Sequence, residues 1–171
     1  MNRPIAVLVL ALPTLALAQA SGVQKEKASG AEAEFAGTPW RPDVFEAMET
    51  GGPTPQRAWA FARLSTSWYF SMDSTVIQPG RYVLVLAPKT GSIPMTLEVR
   101  RGAGRELFAD PNAMAPPEGG ETVYRAPAAF GPSTDPVPAL DVTLAGWSDG
   151  VVLTIRYGNR KLTKELVRTD P

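Results

Sequence analysis

Leu140 to Val167 reads LDVTLAGWSDGVVLTIRYGNRKLTKELV, and this stretch decides the fold. Leu140, Val142 and Leu144 alternate, Ser148-Asp149-Gly150 supplies a turn, and Val151, Leu153, Ile155 and Tyr157 alternate in reply. Gly158-Asn159 turns the chain again before Leu162, Lys164 and Leu166. Period-two alternation puts every second side chain on one face of a strand, and tight turns between such runs specify an antiparallel meander.

The same grammar runs upstream. Ile93, Met95, Leu97 and Val99 alternate with Pro94, Thr96, Glu98 and Arg100, which predicts one buried and one wet face, with Pro94 at an edge or an initial position. Arg81 to Ala87 (RYVLVLA) is apolar on both faces, as a central strand covered on both sides would be. Pro79-Gly80 before it reads as a type II turn. Trp68, Phe70 and Met72 form a further alternating run, and Gly102 to Pro138, rich in Pro, Gly and Ala, has room for short strands near Glu106–Ala109 and Glu121–Ala126. Val44 to Thr50 reads as one or two helical turns ended by Gly51-Gly52-Pro53. About seven or eight strands with no long helix make an all-β antiparallel sandwich or open barrel. Its core is expected from Leu84, Leu86, Leu97, Val99, Val142, Leu144, Leu153 and Ile155.

The N-terminal segments have other readings. Ser21 to Gly37 is small and charged and is expected to be a flexible lead-in, leaving residues 38–171 as a single sandwich domain. Residues 1–20 carry Arg3, an apolar run from Ile5 to Leu17 and the small-x-small site Ala18-Gln19-Ala20, the grammar of a cleaved secretory signal. The run is too short for the roughly 20 apolar residues that span a bilayer. With no Cys to carry a lipid, the mature protein is expected to be soluble, without membrane insertion, in the periplasm or outside the cell. Twelve Arg against five Lys, with abundant Ala and Pro, suggests a GC-rich bacterial source.

Ile77-Gln78-Pro79-Gly80-Arg81-Tyr82-Val83-Leu84, with Pro88 after it, resembles the Leu-Pro-Ala-Gly-x-Tyr-x-Leu signature of a secreted bacterial family, domain-of-unknown-function family 2911. Arg41-Pro42-Asp43-Val44 resembles that family's Arg-Pro-x-Val element, and the closing meander is similar in length and pattern. The family's polar motif after an early Trp is missing, because Trp59 is followed by Ala60-Phe61-Ala62-Arg63-Leu64-Ser65-Thr66. The resemblance implies a fold and a compartment and brings no activity with it.

Composition narrows the chemistry. The 171 residues include no His and no Cys, so zinc fingers, disulfide frameworks, thiol nucleophiles and a Ser-His-Asp triad are excluded within the chain. Seventeen basic residues balance seventeen acidic ones, unlike the basic excess of a nucleic-acid binder. Asp110, Asn112, Glu118 and Glu121 fall at positions 1, 3, 9 and 12 of a calcium-type loop, but Met114 and Ala115 occupy the positions that need an oxygen ligand and a glycine. Gly102-Ala103-Gly104 lacks the third glycine of a dinucleotide fingerprint and reads as a turn. No metal or cofactor is therefore expected.

The aromatic set Trp40, Trp59, Trp68, Tyr69 and Trp147 is the richer signal, with Arg63 or Arg81 to add hydrogen bonds. Trp147, Trp59, Trp68 and Arg63 are the candidate ligand contacts, Trp147 being best placed beside a loop tip. The sequence thus points to a non-catalytic module that binds a small molecule, a glycan or a partner protein. A carboxylate- or metal-dependent hydrolase and a structural part of an envelope assembly are the alternatives.

Overall fold

A computed structural model describes residues 22–52, 57–102 and 120–170, and within them the chain forms ten strands and one helix. Two antiparallel sheets result. The larger takes the order β1-β2-β3-β6-β7-β8, from Val23–Ala28, Ala31–Ala36, Trp59–Thr66, Gly80–Ala87, Thr96–Arg101 and Thr122–Pro127. The smaller takes β5-β4-β10-β9, from Thr75–Ile77, Phe70–Met72, Gly150–Arg168 and Gly131–Trp147. Their inner faces share one apolar core, and all eight expected core residues are buried in it beside Phe35, Leu64, Phe70, Tyr82 and Leu166. The fold is an all-β antiparallel sandwich.

The expected lead-in is not flexible over its described residues, 22–37: they supply the β1-β2 hairpin, and the larger sheet starts there rather than at residue 38. Ala31, Ala33 and Phe35 point inward while Glu32 and Glu34 face out, so three small or aromatic side chains bury what composition alone hid. Pairing of β2 with β3 from Ala31↔Thr66 to Phe35↔Ala62 locks the hairpin to the sheet. The proposed signal residues and the short strand near Glu106–Ala109 lie outside the described residues.

Two further expectations change in detail. The outer face of β7 is not wet, since Thr96 and Glu98 are buried, Glu98 to 2% exposure. Glu98 lies in the row Ala60, Val85, Glu98, Arg125, and its carboxylate is met by Arg125 Nε at 2.8 Å and Arg100 Nη2 at 2.6 Å. That satisfies a charge which would be costly to bury alone. Gly80 has φ 159°, far from the value near 80° of a type II turn. The Tyr82 hydroxyl donates to Gln78 O at 2.5 Å and spans the Pro79-Gly80 pair instead.

The helix α1 (Pro42–Thr50) begins two residues before its expected start, because Pro42 suits the first helical turn. It ends at Gly51, which takes φ 73° and donates to Ala47 O. Phe45 and Met48 bury its inner face, and Arg160 ties it to β10 through Glu49 at 2.8 Å.

The closing meander takes a compact form. A straight strand of 19 residues would run to about 60 Å, too long for a domain of this size. β10 instead comes back beside its own start: Arg168 N–H donates to Asp149 O at 2.7 Å, and Gly150 lies against the backbone of Leu166 and Val167. The midpoint of that pairing falls at Gly158-Asn159, where the sequence predicts a turn and Gly158 takes φ 60°. Trp40 packs on this point, edge-on to Tyr157 at 4.6 Å, and the Tyr157 hydroxyl donates to Pro39 O at 2.7 Å.

Candidate functional site

One end of the sandwich gathers polar groups. Ala28-Ser29-Gly30-Ala31 makes the two-residue turn of the β1-β2 hairpin, with φ of 48° at Ser29 and 82° at Gly30. Such mirror-image turns match the twist of the flanking strands. Here the turn is clamped. Ser29 O accepts from Trp68 Nε1–H at 2.9 Å and Arg168 Nη2–H at 2.6 Å, and Gly30 O accepts from the Ser67 backbone N–H at 3.2 Å and its hydroxyl at 3.3 Å. The Arg168 guanidinium stands 5.0 Å from the Trp68 ring centroid. A side chain at Gly30 would meet Ser67 Oγ and the Trp68 indole at about 3 Å, so glycine is required by space as well as by φ.

Beside this turn runs an open groove of about 430 Å³ lined by Lys27, Ser29, Glu32, Ser65, Thr66 and Ser67, over Ala28, Gly30 and Ala31. Lys27 Nζ and Glu32 Oε2 pair at 2.7 Å on its rim. Farther along the same outer face, Glu34 is held by Lys25 and by Arg63 at 3.1 Å. The Lys25 hydrogen bond, ahead of the Arg63 contact, keeps the Glu34 carboxyl below the usual carboxylate range. Thr66 differs from these paired groups. It is 7% exposed, and its Oγ1 is buried with no hydrogen-bond partner.

A second polar cluster lies at the opposite sheet edges. Asp73, in the β4-β5 turn at φ 45°, accepts on Oδ2 from the Tyr124 hydroxyl at 2.5 Å and from Lys164 Nζ at 2.5 Å. Lys164 hydrogen-bonding lowers the Asp73 pKa below the ordinary value, with Tyr124 adding to it. Burial raises the Tyr124 pKa, and the bond to Asp73 reinforces it. Burial works against the Lys164 charge, yet its bonds to Asp73 and Tyr124 outweigh that and raise its pKa. Neither the phenol nor the amine is therefore activated as a base or nucleophile near neutral pH. The cluster ties β8 of one sheet to β10 and the β4-β5 turn of the other.

Its pH signature follows from those directions. Because the folded pKa of Asp73 is depressed, its contribution to stability is full above the unfolded value of about 3.9 and disappears as pH falls through the folded one. Lys164 and Tyr124, both raised, contribute fully below about pH 10 and lose that contribution as pH rises through their folded values. Asp73→Asn tolerates the positive φ and removes the charge, so it is expected to flatten the acid limb of Tm against pH below about pH 4. A limb unchanged from wild type would show that Asp73 carries no such linkage.

The sequence candidates scatter. Trp59 is corrected from ligand contact to core: it is 5% exposed, with its ring 5.6 Å from Phe61 and 5.0 Å from Tyr157. Trp68 does not line the groove; its N–H and one ring face are engaged by Ser29 and Arg168, so it braces the turn. Trp147 is 36% exposed at the tip of β9, and alternation sets it on the face opposite Gly146, which lies against Ser29. Arg63 is half-buried in the charge row beside the groove, Trp40 and Tyr69 are half-buried, and Arg81 is exposed. Glu121 is exposed with Arg101 3.5 Å away, while Asp110, Asn112 and Glu118 lie outside the described residues.

The groove was missed in sequence, although signals exist. Ser-Gly between VQKEKA and AEAEFA is a hairpin pattern, and Ser65-Thr66-Ser67 is a run of three hydroxyls. No protein-family model matches the chain, and no curated protein or solved structure matches it either. Function has to be read from the groove's own chemistry.

Proposed function

We propose that the protein is an exported, non-catalytic binding module that takes a polar ligand in the groove beside the Ser29-Gly30 turn. The signal-peptide grammar of residues 1–20 and the resemblance to a secreted family support export. The observation that carries the binding reading is the groove itself, about 430 Å³ of open space where the paired Lys27 and Glu32 and the side chains of Ser29, Ser65 and Ser67 gather beside a clamped turn.

Strand addition at the edge of β9 fits less well. Segment 38–40 already pairs there, through Trp40 N–H to Pro138 O at 2.9 Å and Leu140 N–H to Thr38 O at 2.8 Å. Pro132, Pro136 and Pro138 interrupt the donors along the rest of its first half.

Thr66→Val keeps the shape and removes the unpaired inward hydroxyl of Thr66. It is expected to raise unfolding stability by about 1 kcal/mol in urea titrations, because an unsatisfied polar group leaves the interior. The binding test is Ser65→Ala: in amide NMR titrations with a panel of small polar compounds, the wild type is expected to respond at residues 27–32 and 65–67 and this variant to respond weakly. Responses confined to the Asp73 cluster, or unaffected by the substitution, would move the site elsewhere.

A further inference from the structure

We infer that the open edge of β8 accepts an extended peptide strand carrying an acidic residue opposite Arg125, at the far edge of the larger sheet from the groove. The ladder supplies the backbone half of the argument. Ala128 N–H donates to Met95 O at 2.8 Å, and the same register continues through Leu97↔Ala126 and Val99↔Tyr124. Hydrogen-bonded pairs alternate in an antiparallel ladder, so Val123 O, Arg125 N–H, Arg125 O and Pro127 O turn away from β7. β7 is the one strand that pairs with β8, and no described residue bonds to those four groups.

The other sheet edges are guarded. β1 bears Lys25 and Lys27 and, through Glu26↔Ala33, sets Glu26 on the core side. β5 has three residues, and β9 has its prolines and the segment 38–40. β8 is TVYRAP, with no lysine and no carboxylate. The register slip beside Val99 and the proline at 127 bound its open stretch, which fixes where an added strand sits.

Charge selects the occupant. Arg125 uses only Nε on Glu98, at 2.8 Å, and its side chain is 59% exposed, so both terminal nitrogens lack a partner among the described residues. A carboxylate directly opposite on an added strand would take them. The flanking residues of that strand turn inward, into a space of about 310 Å³ lined by Thr75, Thr122, Val123, Tyr124 and Arg125. Asp73 is already held by Tyr124 and Lys164, so these inward positions suit uncharged side chains. A second copy fits poorly, because its β8 brings no carboxylate and antiparallel self-pairing would set one Arg125 near another.

The experiment is an amide NMR titration of the purified protein with an end-capped octapeptide alternating Glu and Val. The peptide is expected to shift residues 122–127 and 75–77, to slow exchange of the Arg125 N–H, and to bind about tenfold more weakly to Arg125→Gln. A Lys-for-Glu peptide is expected to bind at least about tenfold more weakly. A version N-methylated at its Glu residues, which must donate to Arg125 O, is expected to lose binding. These peptide comparisons hold whether or not Arg125→Gln folds as the wild type does. Equal binding of either altered peptide, shifts confined to residues 27–32 and 65–67, or no response would overturn the proposal. So would a dimer in sedimentation that protects the Arg125 N–H without peptide, which assigns the edge to a second copy.

Discussion

Gly158→Ala is expected to destabilise the protein by about 2–5 kcal/mol, the sum of two independent penalties. The first is conformational: at φ 60° an L-residue pays about 1–2 kcal/mol that glycine does not. The second is steric. A Cβ at position 158 would overlap the fused edge of the Trp40 indole and stand 2.7 Å from its Cε3. Trp40 has little room to yield, being set edge-on against Tyr157 and tilted on Phe45 at 5.4 Å. Forced overpacking of this kind costs about 1–3 kcal/mol or more. Urea denaturation of Gly158→Ala, Trp40→Ala and the double variant separates the two parts, because removing the indole relieves only the steric one. A single-variant loss below about 1 kcal/mol would mean that Trp40 does not sit on the turn.

Ile155→Ala and Leu97→Ala should each cost about 2–5 kcal/mol. They come from opposite sheets, and both are at most 1% exposed in the shared core. Deleting either side chain leaves a cavity between sheets whose strands are fixed by their ladders, so little collapse can fill it. Thermal or urea unfolding checks this directly. Losses under about 0.5 kcal/mol at both sites would place these faces outside the core.

The fold was legible where side chains are large and alternate. Leu153, Ile155 and Tyr157 against Leu140, Val142 and Leu144 announce their facing without context, and RYVLVLA announces a strand covered on both sides. The β1-β2 hairpin was not legible because Ala31 and Ala33 carry too little apolar surface to register as a face. Their burial depends on Phe35 and on pairing with β3, neither of which is a local property. Glu98 shows the same limit, since its burial requires Arg125 from a strand 27 residues away. For the site, tryptophan was a poor guide. An indole at period-two spacing fits a core or a surface equally well, and Trp59 took the core. The groove instead arises where the β1-β2 turn meets the end of β3, and such a meeting is set by tertiary register.

The order of the strands bears on how the molecule assembles in time. In the larger sheet every neighbour follows its predecessor in the chain, except that β6 joins β3 after the β4-β5 excursion. These pairings close short loops and can form early. The β4 strand, by contrast, meets β10 only through Ser71↔Val167 and Phe70↔Arg168, roughly a hundred residues along the chain. A chain emerging from its N-terminus would therefore display Leu64, Tyr82, Leu84 and Leu97 on an unroofed sheet until those residues arrive. The pairing of residues 167 and 168 with Ser71 and Phe70 then closes a loop of roughly a hundred residues, and it is expected to form after the local hairpins.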